Sequence, residues 1–280
     1  MKVGTRGSAL ALAQAQLIAD ELGSRLGERI ELTVVSTSGD GSAGADDKSR
    51  WVDGLEEALV KRQIDLAVHS AKDVPAQLGN GLEILAVPAR ADARDAICGA
   101  ASLAALAAGA RIGTTSLRRR SLVLAQRGDV EVVDLRGNVD TRLRKLAAGE
   151  VDAAILALAG LERLGRADEA DAILDGEQFV PAAGQGALAL EGRADDDRAR
   201  AAAAQLSDPP SFRCLLAERA LVAELGATCN TPVGAHARAA GADSLELRTY
   251  VGMPDGSAWL RDRLQGPAAD PEALGRELAA

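Results

Sequence analysis

The feature that most limits what this chain can fold into is an alternation, running to about residue 156, of short apolar runs with stretches of helical periodicity. Ser8 fits the N-cap of a helix from Ala9 to Leu26, whose Leu10, Leu17 and Leu22 recur at helical spacing. The run Ile30 to Val35 predicts a strand. Further strands are expected at Ile64–Val68, Glu83–Val87, Ala96–Cys98, Arg111–Gly113, Val130–Asp134 and Ala153–Leu156. Between them, helices are expected near Leu55–Lys61, near Leu103, over Ser116–Gln126 and over Asp140–Ala148. Such alternation builds α/β layers, in which active groups gather where strands run out at their carboxyl ends. After Pro209-Pro210 the texture changes. A long helix from Phe212 to Leu225 leads to a loop, then to two strands, Leu245–Gly252 and Ser257–Leu264, around the turn Pro254-Asp255-Gly256. This reads as a separate small α+β domain.

Composition narrows the function classes. With 280 residues, 47% of them hydrophobic, there is material for two or three cores. Aromatic residues make up only 2% and the formal net charge is −9, so base-stacking platforms are scarce and the whole repels a phosphate backbone. No nucleic-acid partner is expected. No apolar stretch approaches bilayer length and the start lacks a signal-peptide core, which sets the expectation of a cytoplasmic protein without a membrane partner. Cys98, Cys214 and Cys229 are widely spaced, and His69 and His236 are the only histidines, so neither a metal site nor a disulfide framework is expected.

The positive charge is gathered locally. From Arg111 to Lys145 there are nine basic residues against four acidic ones. In Gly113-Thr114-Thr115-Ser116-Leu117-Arg118-Arg119 a strand ends in a polar turn that opens a helix, where backbone N–H groups, hydroxyls and guanidinium groups suit a carboxylate. Asp134-Leu135-Arg136-Gly137-Asn138-Val139-Asp140-Thr141-Arg142 repeats the idea. Arg120, Arg127, Arg144 and Lys145 read as solvated surface. A second cluster is Ile64-Asp65-Leu66-Ala67-Val68-His69-Ser70-Ala71-Lys72-Asp73-Val74-Pro75, where a buried-looking strand delivers Lys72 and Asp73 to its carboxyl end. Asp73 beside an ammonium is the best acid/base candidate, and His69 reads as structural. Cys229 lies in a loop framed by Gly and Pro, whereas Cys98 and Cys214 sit in apolar segments.

Taken together, these segments resemble the hydroxymethylbilane synthase (porphobilinogen deaminase) family over nearly the whole chain. The resemblance is carried by Gly4-Thr5-Arg6-Gly7-Ser8-Ala9-Leu10-Ala11, His69-Ser70-Ala71-Lys72-Asp73-Val74-Pro75, Gly113 to Arg119, Leu135 to Arg142, Pro181-Ala182-Ala183-Gly184-Gln185-Gly186-Ala187 and the Cys229 loop, in the family's order. It implies an α/β fold of two type II periplasmic-binding-protein-like domains, residues 1–87 with 187–206 and residues 88–186, plus a small C-terminal α+β domain at 209–280. It further implies a monomeric transferase of porphyrin, tetrapyrrole and heme biosynthesis that condenses four porphobilinogen molecules into hydroxymethylbilane, on a dipyrromethane cofactor held by a thioether to Cys229. In that reading Asp73 and Lys72 are catalytic and also touch the cofactor, with Asp73 assisting loss of ammonia, stabilising the azafulvene and pyrrolenine cations and accepting the pyrrole proton. Arg118, Arg119, Ser116 and Thr115 hold the cofactor. Arg6, Ser8, Arg136, Arg142 and Arg163 bind substrate carboxylates, and Gln185 also binds substrate.

Departures fall near the expected lid, Ser36 to Arg50, which is short. Lys48 matches a lid lysine, and Trp51 stands where the family shows Phe. Asp53 and Gly54 replace a basic or small residue followed by Glu. The alternative is a non-catalytic anion-binding module of the periplasmic-binding-protein type, which needs the arginines but neither Asp73 nor Cys229. A thiol hydrolase using Cys229 and His69 lacks a third member.

Overall fold

In the computed structural model, residues 1–38, 48–228 and 231–280 are described. The chain forms two compact units, residues 1–91 with 187–215 and residues 92–186 with 216–280.

In the first unit, β1 (Lys2–Thr5), α1 (Ala9–Leu26), β2 (Glu31–Val34), α2 (Asp53–Val60), β3 (Leu66–Ser70) and β4 (Leu82–Ala86) follow the expected alternation. The second unit begins with β5 (Asp95–Cys98), β6 (Arg111–Gly113), α3 (Leu117–Leu124), β7 (Glu131–Val133), α4 (Val139–Ala147), β8 (Ala153–Ala157), α5 (Leu158–Arg163) and β9 (Ala172–Ile173). The chain then contributes β10 (Leu188–Arg193) and α6 (Asp197–Ala204) to the first unit, before α7 (Pro209–Glu224), β11 (Val233–Ala239), β12 (Ser244–Gly252), β13 (Trp259–Pro267) and α8 (Pro271–Ala279).

Two five-stranded sheets share one plan. Their orders are β2-β1-β3-β10-β4 and β7-β6-β8-β5-β9. In each, three neighbouring strands are parallel and the fourth runs against them. Because β1, β2 and β3 are parallel, the residues after Thr5, Val34 and Ser70 emerge at one edge, and antiparallel β10 begins there, with Leu188 opposite Ser70. In the other sheet the ends of β6, β7 and β8 share an edge with the start of β5, where Asp95 lies opposite Ala157. The third sheet is the antiparallel meander β11-β12-β13.

The cores are aliphatic, as the scarcity of aromatics requires. Ile18 and Leu22 of α1 pack on Val3, Leu66, Val68 and Leu190, while Leu55 and Leu59 of α2 pack with Ile64 and Ala67 on the opposite sheet face. Truncating a side chain such as Leu22, which is fully buried, to alanine costs about 2–5 kcal/mol. In the second unit Ile97, Ile112, Leu122, Ile155 and Phe179 form the main cluster.

Several boundaries depart from the sequence expectations. The segment near Leu103 is not a helix. Its carbonyls at Leu103 and Leu106 accept from the Arg127 guanidinium at 2.5 and 2.9 Å, and a run this short cannot repay helix nucleation alone. Arg127 is therefore a loop anchor rather than solvated surface, and half-buried Arg120 likewise donates to Val132 O. Helix α7 begins at Pro209, because prolines fit a first turn that needs no N–H partners, and Asp208 accepts the Ser211 N–H at 2.9 Å. Strand β3 lies two residues later than its apolar run suggests, extending to Ser70. Strand β13 likewise starts at Trp259.

Candidate active site

In the first unit the chemistry gathers at the edge where β1 and β3 end. Strand β3 is buried along Leu66–His69, so Ser70 and the short 3-10 turn Ala71–Asp73 follow from a rigid platform. Pro75 disfavours helical backbone at Val74, which is extended at φ −78° and ψ 129°, and the turn stops there. Its closure is the Val74 N–H donated to Ala71 O at 3.3 Å, and Ala71 N–H donates to Ala187 O at 3.0 Å. Lys72 and Asp73 are both half-buried. The Gln14 amide of α1 donates to Ser70 Oγ at 3.0 Å.

At the neighbouring strand end, Ser8 caps α1 by accepting the Ala11 N–H at 3.2 Å. Half-buried Arg6 places its guanidinium 4.2 Å from the centroid of the Trp51 ring. Trp51 closes the 3-10 turn that Lys48 opens; the side chain of Lys48 and all of residues 39–47 lie outside the described residues. Two sequence departures have a structural reason here. Asp53 accepts the Ser38 N–H at 3.1 Å and its hydroxyl, which holds its carboxyl below the usual range even though burial opposes this. A Cβ at Gly54 would stand 2.2 Å from Ser36 O. Beneath the edge, His69 Nε2 lies 2.8 Å from Glu191 Oε2, both groups buried, with half-buried Glu56 of α2 nearby. Burial, then the Glu191 charge, raises the Glu56 carboxyl.

In the second unit, Ser116 caps α3, accepting the Arg119 N–H at 3.4 Å, while Thr115 beside it is exposed. Arg118 and Arg119 point inward from the first turn of α3. Arg118 donates to Asp95 Oδ2 and to Val180 O, each at 2.7 Å. Arg119 donates to Asp95 Oδ1 at 2.7 and 3.0 Å and to Ile155 O at 2.9 Å. Burial would raise the Asp95 carboxyl, but the two guanidinium charges outweigh it and hold it at about 2. Gln185 Nε2 donates to Ala93 O at 2.6 Å and to Asp95 Oδ1 at 3.0 Å. These two donations tie Gln185 to Ala93 and orient the Asp95 carboxylate.

The remaining arginines differ in setting. Arg163 at the end of α5 donates to Gly186 O at 2.7 Å, and burial lowers its pKa. Arg142 is half-buried on α4, whose cap Asn138 accepts the Thr141 N–H at 2.9 Å. Arg136 is exposed, 3.4 Å from Asp134. Cys229 lies outside the described residues; on either side of it, Thr228 N–H donates to Thr231 Oγ1 at 3.0 Å. Cys98 and Cys214 are buried, and burial pushes the Cys98 thiol up to about 11, so Cys98 offers no thiolate.

Sequence reasoning missed Asp95. The available signal was a lone carboxylate opening a buried strand in a chain whose arginines also needed a buried partner. It also missed Glu218 of α7, fully buried, which accepts the N–H groups of Gly184 and Ala237, each at 2.7 Å. Among the described residues no His, Cys, Asp and Glu cluster forms a metal site, and no helix is long and apolar enough to cross a membrane.

Residues 1–201 match the family model for the porphobilinogen deaminase dipyrromethane cofactor binding domain, and residues 212–280 match that for the porphobilinogen deaminase C-terminal domain. Among similar proteins, the porphobilinogen deaminase of Nitrobacter winogradskyi is 45% identical, covering 99% of this chain and 90% of the relative. That of Thermus thermophilus is 44% identical, with 99% and 93% covered. That of Deinococcus radiodurans is 45% identical with the same coverage. Among solved structures, the immunogenic lipoprotein A of Vibrio vulnificus aligns at a TM-score of 0.48 and 16% identity, covering 76% of this chain and 96% of that one. With two domain models matched in order and relatives of this identity along nearly its whole length, the chain belongs to the porphobilinogen deaminase family.

Proposed function

We propose that this chain condenses four porphobilinogen molecules, with loss of ammonia at each step, into hydroxymethylbilane, and that Asp73 is its acid/base group. The observation that carries the reading is the delivery of Lys72 and Asp73, by a buried strand and a proline-stopped turn, to the edge where Arg6 and Ser8 also emerge. Each condensation requires a proton for the departing amine, a negative group near the cation that develops on the substrate ring, and a base for the ring proton. One carboxylate serves all three in turn.

Porphobilinogen carries two carboxylates on each ring, so a lengthening product needs arginines. Arg6, Ser8, Arg136, Arg142 and Arg163 bind those of the substrate. Arg118 and Arg119, with Ser116 and Thr115, hold those of the dipyrromethane. The fit rests on charge: two buried guanidinium groups share a single carboxylate, Asp95, and the surplus positive charge suits an acidic ligand. Joined to Cys229 by a thioether, the dipyrromethane supplies the free pyrrole carbon from which the product grows. The enzyme is taken to be a cytoplasmic monomer without a nucleic-acid partner, in keeping with its net charge of −9.

The test is the intact mass of protein from cells that make porphobilinogen, followed by peptide mapping. Two deaminated substrate units on the Cys229 peptide are expected, and none on Cys229→Ala. An unmodified wild-type chain would overturn the reading. Asp73→Asn should load the cofactor yet turn over about 10²–10⁴-fold more slowly; unchanged turnover would remove Asp73 from the chemistry.

A further inference from the structure

Two arginines that are adjacent in sequence, and nearly fully buried, repel each other and forfeit hydration, so something must fix both their separation and their direction. The Asp95 carboxylate stands between them, with Oδ2 taken by Arg118 and Oδ1 by Arg119. Its own position is set by the sheet: β5 pairs with β8 at Ala157, and Asp95 O accepts the Leu174 N–H at 2.8 Å. The Gln185 amide then turns the carboxylate, donating to Oδ1 at 3.0 Å. Arg118 receives a further constraint from Val180 O, and Arg119 from Ile155 O.

We propose that Asp95, turned by Gln185, is a positioning residue for catalysis: it sets the direction in which the Arg118–Arg119 pair presents its surplus positive charge to the carboxylates of the covalently held cofactor. The inference rests on the assignment of that pair to the cofactor. An asparagine at this position has the right shape and the wrong chemistry, since its amide N–H groups would face a guanidinium donor and one arginine would have to turn away. Because the pair acts on a primer already attached to the protein, its misdirection shifts the growing end, and the loss falls on kcat more than on KM for incoming porphobilinogen.

The experiment compares wild type, Asp95→Asn, Asp95→Glu and Gln185→Leu, all purified from cells that make porphobilinogen, with turnover divided by the cofactor-loaded fraction from intact mass. Asp95→Asn should lose about tenfold or more in kcat per loaded molecule, a displacement on the ångström scale being worth this much, with a much smaller change in KM. Asp95→Glu, which keeps the charge, should recover part of the loss, and Gln185→Leu should lose less than Asp95→Asn, in the same direction. A purely structural Asp95 would lower thermal stability and loading, and leave kcat per loaded molecule at the wild-type value; that result overturns the proposal. Should Asp95→Asn not fold, Gln185→Leu decides, and a normal kcat per loaded molecule in it is equally fatal. Arg119→Gln separates the two levels: normal loading and turnover in that variant removes the cofactor assignment itself, whereas a defective Arg119→Gln beside a normal Asp95→Asn removes only the role of Asp95.

Discussion

The guanidinium of Arg6 stacks over the indole of Trp51, 4.2 Å from the ring centroid, so the residue that emerges from β1 is held by one that ends the turn before α2. Both belong to the first unit. The Trp51 ring gives the cation an aromatic face. Trp51→Ala should cost about 0.5–2 kcal/mol of stability and raise KM for porphobilinogen through a loosened Arg6. Trp51→Phe should restore most of both. A KM unchanged in Trp51→Ala, measured alongside urea denaturation, would show that Arg6 does not rely on the ring.

Gly54 is a second departure with a local cause. Its missing side chain admits Ser36 O, which would sit 2.2 Å from a Cβ. Gly54→Glu should therefore destabilise this chain by about 1–3 kcal/mol, because backbone must shift to make room. Asp53, which accepts from Ser38, would be disturbed with it. Denaturation midpoints compared with those of wild type check this, and an equal midpoint would mean the segment after β2 moves aside freely.

Much of the fold was legible because periodicity and turn chemistry act locally. Ser8 and α1 came out to the residue, since a cap and a long apolar stripe mark both ends of the helix. The segment near Leu103 failed for the opposite reason: alanine content favours helix, but the Arg127 guanidinium, distant in sequence, claims its carbonyls. Strand β11 escaped notice because Val233-Gly234-Ala235-His236-Ala237-Arg238-Ala239 has small residues facing inward and no strong alternation. At the site, the residues on turns that follow strands could be picked out. The shared partner of Arg118 and Arg119 could not, because Asp95 reaches them only through tertiary packing.

His69 and Glu191 form a buried diagonal pair on adjacent strands, 2.8 Å apart, where β3 and β10 run antiparallel. Removing one partner leaves the other buried without its counterpart, with the Glu56 carboxyl still close by. His69→Leu should cost about 3–5 kcal/mol, and so should Glu191→Leu. The double variant should be less destabilised than the sum of the two by about 1–3 kcal/mol. Strict additivity in chemical denaturation would mean that the two groups do not interact across the strands.

Asp95 also sets an acid limit on the second unit. Its carboxyl is held at about 2, against 3.8 for the free group, because the charges of Arg118 and Arg119 outweigh burial. A lowered carboxyl contributes stability that is fully present above the unfolded value and is lost as pH falls through the folded one. The window therefore runs from about pH 4 downward to about pH 2, and the amount at stake is about 2 kcal/mol. Asp53, Asp92, Asp196 and Glu246 are also lowered, so the wild-type acid transition is a sum over several groups. The share of Asp95 is the difference between wild type and Asp95→Asn: wild type should lose about 2 kcal/mol more than the variant between about pH 5 and pH 2. Parallel losses in the two proteins, measured by denaturant titration across that window, would mean that Asp95 keeps its ordinary pKa and that the arginine pair draws its hold from Val180 O and Ile155 O instead.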